Sequence, residues 1–232
     1  MVYAAILAGG SGSRMDSSLP KQYLKIKEKP ILFYSVEAFA ANNRIDGILV
    51  AVSRDYYEYA GKLISEYCPQ TPVTLVAGGE DRLSTLKNIL NHLKQNNMLG
   101  GDTILLTHDA VRPFIDQRII NDNIDAAIKY GACNTVIPTV DTILLSEDGE
   151  FISSVLPRKS LYNVQTPQTF NAQKLYELVF SLSEEERASL TDACSVFIMR
   201  GERVRLVEGR PENIKITYPS DILLAEKLTV NS

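Results

Sequence analysis

The stretch Met1-Val-Tyr-Ala-Ala-Ile-Leu-Ala-Gly-Gly-Ser-Gly-Ser-Arg14 indicates the fold class of this 232-residue chain. Residues 2–8 form a continuous apolar run that ends at Gly9 and Gly10. Periodicity alone leaves so short a run ambiguous, but an apolar run bounded by a glycine-rich loop is typical of a buried parallel strand. We therefore predict an α/β fold. Its first loop lies at the carboxyl end of a strand, which is where such sheets bind ligands.

Strands and helices then alternate for about 140 residues, as in right-handed βαβ units built around a largely parallel sheet. Apolar strands are predicted at 46–52, 73–76, 104–107 and 132–139. Helices are predicted at 30–42, 55–67, 81–95 and 116–130.

The pattern changes after Pro138. Residues 142–152 predict a β-hairpin that turns at Glu147-Asp148-Gly149, since Asp-Gly favours tight hairpin turns. Such an arm packs either on another subunit or on its own sheet. Strands at 164–166, 203–207 and 214–217, and helices at 171–182, 191–200 and 220–228, are predicted to follow. One domain, 1–232, is expected, because no repeat or low-complexity linker divides the chain.

Charge and composition exclude several classes of protein. Twenty-four basic against 28 acidic residues give a net charge of −4, which argues against a broad nucleic-acid or anionic-membrane surface. A pocket for a small anion stays possible. Cys68, Cys133 and Cys194 are far apart, which predicts reduced, buried thiols rather than a disulfide framework or a zinc site. With neither a signal peptide nor a membrane span in the pattern, we expect a soluble, cytoplasmic protein.

The glycine-rich loop fits neither familiar phosphate motif. No Lys-Ser or Lys-Thr follows its glycines, and Met15 stands where a dinucleotide loop needs a third glycine. The loop is either an ordinary tight turn or a cradle of backbone N–H groups for an anion. Arg14 and Lys21 would suit a triphosphate, unless they are solvated surface charges.

Two further segments follow predicted strands. At Gly78-Gly79-Glu80-Asp81-Arg82-Leu83-Ser84-Thr85, a helix begins either with simple capping by Asp81 or with an anion at its N-terminus. Asp109, directly after a buried strand, is a natural Mg²⁺ ligand. We expect His108 to be a structural histidine, and Arg112 to pair with a carboxylate that shapes the loop.

Distal residues offer a second anion site. Arg158, Thr166 and Lys215 supply a cation, a hydroxyl and another cation, which could gather a second phosphate. Asp192 is expected to cap a helix. Because no nucleophile motif is present, the site is predicted to act by positioning and charge stabilisation rather than by a covalent intermediate.

Together, these motifs resemble the sugar-alcohol-phosphate cytidylyltransferases, a family that includes methylerythritol-phosphate and ribitol-5-phosphate enzymes. The resemblance covers essentially the whole chain in order. It rests on Leu7-Ala8-Gly9-Gly10 through Arg14, Pro20-Lys21-Gln22, Gly78-Gly79-x-x-Arg82, His108-Asp109-Ala110-x-Arg112-Pro113, Gln165-Thr166-Pro167-Gln168 and Asn213-Ile214-Lys215. Residues 107–114 look closer to the ribitol-phosphate branch. So does Ala193, because the methylerythritol branch typically carries an acidic residue there.

The resemblance implies a Rossmann-like, three-layer nucleotidyltransferase fold and a homodimer joined by an arm at about residues 139–157. It implies CTP as co-substrate, Mg²⁺ as cofactor, and transition-state stabilisation by Arg14 and Lys21. The residues implied to bind nucleotide are Leu7, Ala8, Gly9, Gly10, Gly79, Glu80, Asp81, Arg82, Ser84, Thr85, Asp109 and Ala110. Those implied to bind metal are Asp109 and Glu212, although the ribitol branch does not clearly keep an acidic residue at the second position. Arg158, Thr166 and Lys215 are implied to bind the acceptor, with Arg158 reaching across from the neighbouring subunit.

The expected reaction is attack of a sugar-alcohol phosphate, D-ribitol 5-phosphate first, on the α-phosphorus of CTP. The products would be CDP-ribitol and pyrophosphate, and the resemblance implies a role in teichoic acid and cell-wall synthesis. The alternative acceptor is 2-C-methyl-D-erythritol 4-phosphate of isoprenoid synthesis. More remote alternatives are an NAD-dependent oxidoreductase and a non-catalytic nucleotide-binding protein.

Overall fold

The computed structural model describes residues 1–10, 15, 17, 19–188, 190 and 192–229. Arg14, one of the two predicted catalytic cations, lies outside the described residues.

A seven-stranded sheet, flanked by helices on both faces, forms the body of the protein. The strands are β1 (Val2–Ala8), β2 (Lys25–Ile26), β3 (Lys29–Pro30), β4 (Gly47–Val52), β5 (Val73–Ala77), β6 (Ile104–Asp109), β7 (Ala132–Pro138), β8 (Leu144–Leu145), β9 (Ser154–Val155), β10 (Tyr162–Asn171) and β11 (Arg205–Glu208). The helices are α1 (Ile31–Ala40), α2 (Tyr57–Tyr67), α3 (Arg82–Gln95), α4 (Gln117–Tyr130), α5 (Ala172–Phe180), α6 (Glu184–Ala188), α7 (Ala193–Met199) and α8 (Pro219–Leu228).

The sheet order is β11-β7-β10-β6-β1-β4-β5. All of its neighbouring strands run parallel except β10, which is antiparallel to both β6 and β7. The predicted α/β class with a mostly parallel sheet is therefore confirmed. In the register of β1 with β6, Leu7 lies opposite Asp109, so the first glycine-rich loop and Asp109 meet at one edge of the sheet.

The apolar run of β1 is explained by burial on both faces. Ala4 and Ile6 belong to a core with α1, α2 and α4, whereas Tyr3 and Ala5 belong to a second core with α3, α5 and α7. Because successive side chains of a strand point to opposite faces, a strand covered on both sides is apolar along most of its length instead of at alternate positions. Within the described part of the chain, no helix is long and apolar enough to span a membrane.

The predicted hairpin exists, but the prediction for its second strand is wrong. β8 pairs with β9 at Ser154–Val155, and residues 151–152 lie in the connecting loop. The reason is local: Asp148 Oδ1 accepts the backbone N–H groups of Glu150 and Phe151, and this holds these residues in the turn.

The predicted strand at 214–217 is also wrong. This segment is irregular, and Ile216 N donates to Val111 O at 2.9 Å without a continuing ladder. Its apolar residues mark burial of the fully enclosed Ile216, not membership of the sheet. The other predicted elements are present, with ends displaced by a few residues. The strand predicted at 164–166 extends over the whole of β10.

Candidate active site

A cavity of about 390 Å³ opens at the edge where β1 and β6 end and α3 begins. It is lined by Leu7, Gly9, Gly10, Lys21, Gln22, Gly79, Glu80, Asp81, Arg82, Thr85, Asp109, Val111 and Lys215. Most of the residues predicted to bind nucleotide are thus brought together with Lys21 and Lys215. The predicted residues Ala8, Ser84 and Ala110 are sequence neighbours of this lining.

The N-terminus of α3 forms one wall of the cavity. Asp81 and Ser84 make a reciprocal capping box: Ser84 N donates to Asp81 Oδ1 at 2.6 Å, and Asp81 N donates to Ser84 Oγ at 2.9 Å. The hydrogen bonds from Ser84 hold the pKa of Asp81 below its usual range. A Cβ on Gly79 would lie 2.5 Å from the Cβ of Ser84, so this close turn requires glycine. The predicted capping by Asp81 is confirmed.

A buried carboxylate, that of Asp109, also lines the cavity. Asp109 Oδ1 lies 2.6 Å from Arg82 Nη1, and Asp109 Oδ2 lies 2.9 Å from Lys215 Nζ and 3.8 Å from Arg112 Nε. Burial alone would raise the pKa of Asp109, but the positive charges of Arg82 and Lys215 outweigh it and hold the pKa well below the usual range. We call Asp109, Arg82, Lys215 and Arg112 the Asp109 cluster. It carries three cations around one ionised carboxylate.

Hydrogen bonds beneath the Asp109 cluster fix its backbone. The buried Thr166 Oγ1 accepts the N–H of Asp109 at 3.1 Å and lies 3.0 Å from His108 Nδ1. His108 Nε2 lies 3.0 Å from Arg112 O. Since a carbonyl only accepts, Nε2 carries the ring proton and Nδ1 accepts from the Thr166 hydroxyl. Burial lowers the pKa of His108 to about 4, which keeps the ring neutral. His108 is therefore a structural histidine, as predicted.

Arg112 and Asn213 tie the segment that carries Lys215 to the same edge. Arg112 Nη1 donates to Asn213 O at 2.8 Å, and Asn213 Nδ2 donates to Thr166 O at 2.9 Å. Asn213 is fully buried. Lys215, which is close to Asp109 only in space, is positioned by these contacts.

Besides Ala8, Ser84 and Ala110, three predicted site residues lie outside the cavity lining. Thr166, predicted to bind the acceptor, is buried beneath Asp109, and the other two are exposed. Arg158 is exposed at the base of the hairpin, where its Nη1 donates to Val140 O at 3.2 Å. Glu212 is exposed and pairs with Arg210 at 3.2 Å, and Arg210 in turn contacts Asp116 at 2.8 Å. Glu212 therefore takes part in a separate ion-pair network.

Carboxylates line the cavity, and these are donors that Mg²⁺ prefers. Across the described parts of the chain, no three His, Cys, Asp or Glu side chains converge as a metal site. Mg²⁺ is commonly held by one or two carboxylates together with substrate phosphates and waters. Asp109 is the buried carboxylate of the lining that would hold Mg²⁺, and the ion would share it with Arg82 and Lys215, which contact its two oxygens.

Sequence reasoning missed the role of Gln22. This buried side chain lines the cavity and donates from Nε2 to Ala8 O at 2.6 Å and to Gly10 O at 3.1 Å. In the motif Pro20-Lys21-Gln22, the functional signal comes from the lysine. An uncharged glutamine beside a lysine gives no signal that it is buried.

Comparison with known proteins agrees with this geometry. The model of the family 2-C-methyl-D-erythritol 4-phosphate cytidylyltransferase matches residues 2–230. The crystal structure of 4-diphosphocytidyl-2C-methyl-D-erythritol synthase from Anaerococcus prevotii DSM 20548 matches with a TM-score of 0.80 at 27% identity, covering 99% of this chain and 96% of that chain. The 2-C-methyl-D-erythritol 4-phosphate cytidylyltransferase of Francisella tularensis matches with a TM-score of 0.81 at 27% identity, covering 97% and 98%. The enzyme of the same name from Thermus thermophilus gives 0.76 at 26% identity, also covering 97% and 98%.

The fold and the cavity at the carboxyl ends of its parallel strands are those of a nucleotidyltransferase enzyme. With a family match over almost its whole length, the chain belongs to the 2-C-methyl-D-erythritol 4-phosphate cytidylyltransferase family and is a CTP-dependent cytidylyltransferase.

Proposed function

We propose that the chain transfers a cytidylyl group from CTP to the phosphate of a short sugar alcohol and releases pyrophosphate. The observation that carries the proposal is the shared cavity. It brings together the glycine-rich end of β1, Lys21, and the residues Arg82, Asp109 and Lys215, so it offers several cations to bound polyanions. The acceptor that the comparisons favour is 2-C-methyl-D-erythritol 4-phosphate, since the matching family model and the three structures above carry that substrate in their names.

In the proposed reaction, an oxygen of the acceptor phosphate attacks the α-phosphorus of CTP. The bond from the α-phosphorus to the bridging oxygen breaks, and that oxygen leaves with pyrophosphate. A phosphate monoester has a second pKa of about 6, so the acceptor is already largely a dianion at neutral pH and needs no general base. This agrees with the neutral, fully hydrogen-bonded His108. The residues must instead offset the repulsion between the two anions.

Lys21 and Arg14 are proposed to stabilise the charge that develops on the transferring phosphate. Asp109 would hold Mg²⁺, which supplies further charge neutralisation on the phosphate oxygens when bound. Lys215 extends into the same cavity and is proposed to take the acceptor phosphate. Arg82, on the other oxygen of Asp109, keeps that carboxylate ionised.

A second acceptor, D-ribitol 5-phosphate, is favoured by the sequence around α7. Ala193 stands where the methylerythritol branch typically carries an acidic residue. In this chain Ala193 is buried beside Arg82 and Leu7, in a small apolar cavity next to the main one. Position 193 therefore adds no carboxylate to this small cavity, where Asp192 is the acidic residue of the lining. This difference supports a different polyol, and with it a role in teichoic acid synthesis.

Pyrophosphate release from CTP and Mg²⁺, measured with each acceptor in turn, tests the proposal. We expect one of the two acceptors to give a kcat/KM at least ~100-fold above the other, because an active site built for one polyol leaves polar groups unpaired with the other. A reaction without acceptor and a reaction with Lys21→Ala are the controls. Failure of both acceptors to release pyrophosphate would refute a sugar-alcohol acceptor.

The hairpin arm is proposed to join two copies of the chain. Its connecting loop and its second strand leave apolar side chains in solvent, with Phe151 72%, Ile152 65% and Val155 63% exposed. A two-stranded hairpin this small cannot bury them itself, and an apolar patch on an isolated arm is typical of an interface. Arg158 follows the arm directly, so dimerisation would bring it towards a partner's cavity. Three buried free thiols support a reducing, cytosolic location.

A further inference from the structure

Gln22 connects two segments that line the cavity, the glycine-rich end of β1 and the turn that carries Lys21. Its side chain is buried, and its Nε2 reaches two carbonyl oxygens of the glycine-rich segment, Ala8 O at 2.6 Å and Gly10 O at 3.1 Å. Gln22 also directly follows Lys21 in a short 3₁₀ turn, Lys21–Tyr23. One side chain therefore joins the end of β1 to the turn that carries the proposed catalytic cation.

The geometry of these bonds leaves the amide one orientation. Both acceptors are backbone carbonyls, which cannot donate, so both bonds use the NH₂ group of Gln22. Each peptide unit is planar, with its C=O and N–H pointing in opposite directions. Holding Ala8 O towards Gln22 therefore points the N–H of Gly9 away from Gln22. The glutamine thus sets the direction of a backbone donor as well as the distance between the two segments.

The other side of the turn is anchored by aromatic packing. Tyr23 is buried, with its ring stacked 5.5 Å from that of Tyr56 and edge-on 5.3 Å from that of Tyr59. Tyr23 N donates to Pro20 O at 2.9 Å, which closes the turn. Lys21 therefore sits on a backbone that is fixed at the β1 side by Gln22 and at the α2 side by Tyr23.

We propose that Gln22 is a positioning residue for the cytidylyl transfer. It does not touch the reacting atoms. It holds Lys21 and the amide groups after β1 at a fixed separation, so that both are in place before the transition state forms. A misplacement of about 1 Å in such a site can cost roughly 100-fold in rate. The inference rests on the proposed catalytic role of Lys21.

The test is a double-mutant cycle between Gln22→Met and Lys21→Ala. Methionine keeps the length and volume of the side chain but cannot donate to Ala8 O or Gly10 O. We expect Gln22→Met to lower kcat by about 10- to 100-fold when Lys21 is present, and by less than about threefold in the Lys21→Ala background, since non-additivity marks two residues that act as a unit. Gln117→Met is the matched control, because Gln117 Nε2 also donates to a backbone carbonyl, Ala38 O at 2.7 Å, away from the cavity. This variant should keep the wild-type kcat.

Urea unfolding of each variant shows whether a lower kcat comes from a misplaced Lys21 or from an unfolded protein. If Gln22→Met does not fold, Gln22→Asn replaces it: its amide is one methylene shorter and cannot bridge both carbonyls from the same backbone. A wild-type kcat in a folded Gln22 variant would overturn the positioning role. So would a decrease in kcat on Gln22→Met that is equally large with Lys21 and with alanine at position 21. Wild-type kcat in Lys21→Ala would instead overturn the proposed role of Lys21, whatever Gln22 does.

Discussion

Replacing Thr166 by valine tests whether its hydroxyl supports the Asp109 cluster. β10 departs from regular pairing between Val164 and Gln168, and Thr166 lies within that irregularity. Its Oγ1, rather than a backbone carbonyl of β10, accepts the N–H of Asp109 at 3.1 Å. Valine has nearly the same shape, so the change removes hydrogen bonds without opening a cavity.

The expected loss of stability follows from the two buried hydrogen-bond partners that Thr166→Val leaves unpaired. Without the hydroxyl, the N–H of Asp109 and Nδ1 of His108 are both buried and unpaired. Each such group costs about 1–3 kcal/mol, so two of them lead us to expect that Thr166→Val lowers the free energy of unfolding by about 2–6 kcal/mol. This is a large part of the 5–15 kcal/mol (roughly) that stabilises a typical domain. Thr166→Ser keeps the hydroxyl and loses one methyl group, at a cost of about 1 kcal/mol.

Urea unfolding followed by circular dichroism measures both variants under one set of conditions. The informative quantity is the difference in free energy of unfolding between Thr166→Val and Thr166→Ser. Only serine opens a small cavity and only valine removes the hydroxyl, so a lower stability of the valine variant reports the hydroxyl. The expected order of stability is wild type, then Thr166→Ser, then Thr166→Val. If valine proved as stable as serine, the hydroxyl would not support Asp109 and the structural account of this edge would fail.

Three other measurements address the acceptor, the neutral histidine and the arm. Arg158→Ala should raise the KM for the acceptor by about tenfold or more, the scale of one lost hydrogen bond to a charged group, and leave the KM for CTP nearly unchanged; a selective rise in the KM for CTP would contradict the assignment. Burial lowers the folded-state pKa of His108 to about 4, so the stability due to its neutral ring is complete above the unfolded pKa of about 6.5 and is lost as pH falls towards 4. Between pH 7 and pH 5 the free energy of unfolding should fall by about 2 kcal/mol because of His108. In His108→Asn, the free energy of unfolding measured in urea should change less over this pH range. If its change with pH is the same as in the wild type, His108 is not the group responsible. Phe151→Asp combined with Ile152→Asp should convert a dimer to a monomer, which light scattering would detect as a halved molar mass. If the molar mass does not change, the arm does not form the dimer interface.

Local signals predict the sheet and the capping of its helices well. β1 and β4 are predictable because burial on both faces favours a continuous apolar run, which is visible in seven or fewer consecutive positions. β6 gives the same signal only over residues 104–106, because its last three residues are polar although they are buried. Asp81 is identifiable as a cap because its partner, Ser84, is three residues away. In each case the signal that predicts the element lies within a few consecutive residues, although the strands themselves pair with distant segments.

The wrong strand predictions concern the arm and residues 214–217, whose conformations are set by hydrogen bonds outside a regular strand ladder. Asp-Gly in the arm suggests a tight turn, but Asp148 accepts two N–H groups and closes a wider loop. Apolar residues at 214–217 suggest a strand, but this segment packs against the loop after β6 and pairs with no strand there. Alternating apolar residues indicate burial, and burial alone does not specify a ladder partner.

The α/β class, the order of the elements and the cavity edge can be read from the chain alone, because all three follow from apolar runs and glycine-rich ends a few residues long. The surroundings of Asp109 depend on three-dimensional packing instead. Arg82 and Lys215 reach it from 27 residues before and 106 residues after in the chain, and Thr166 reaches it from β10. Such contacts depend on how distant segments approach in space, and electrostatic and hydrogen-bond energies depend on that separation rather than on distance along the chain.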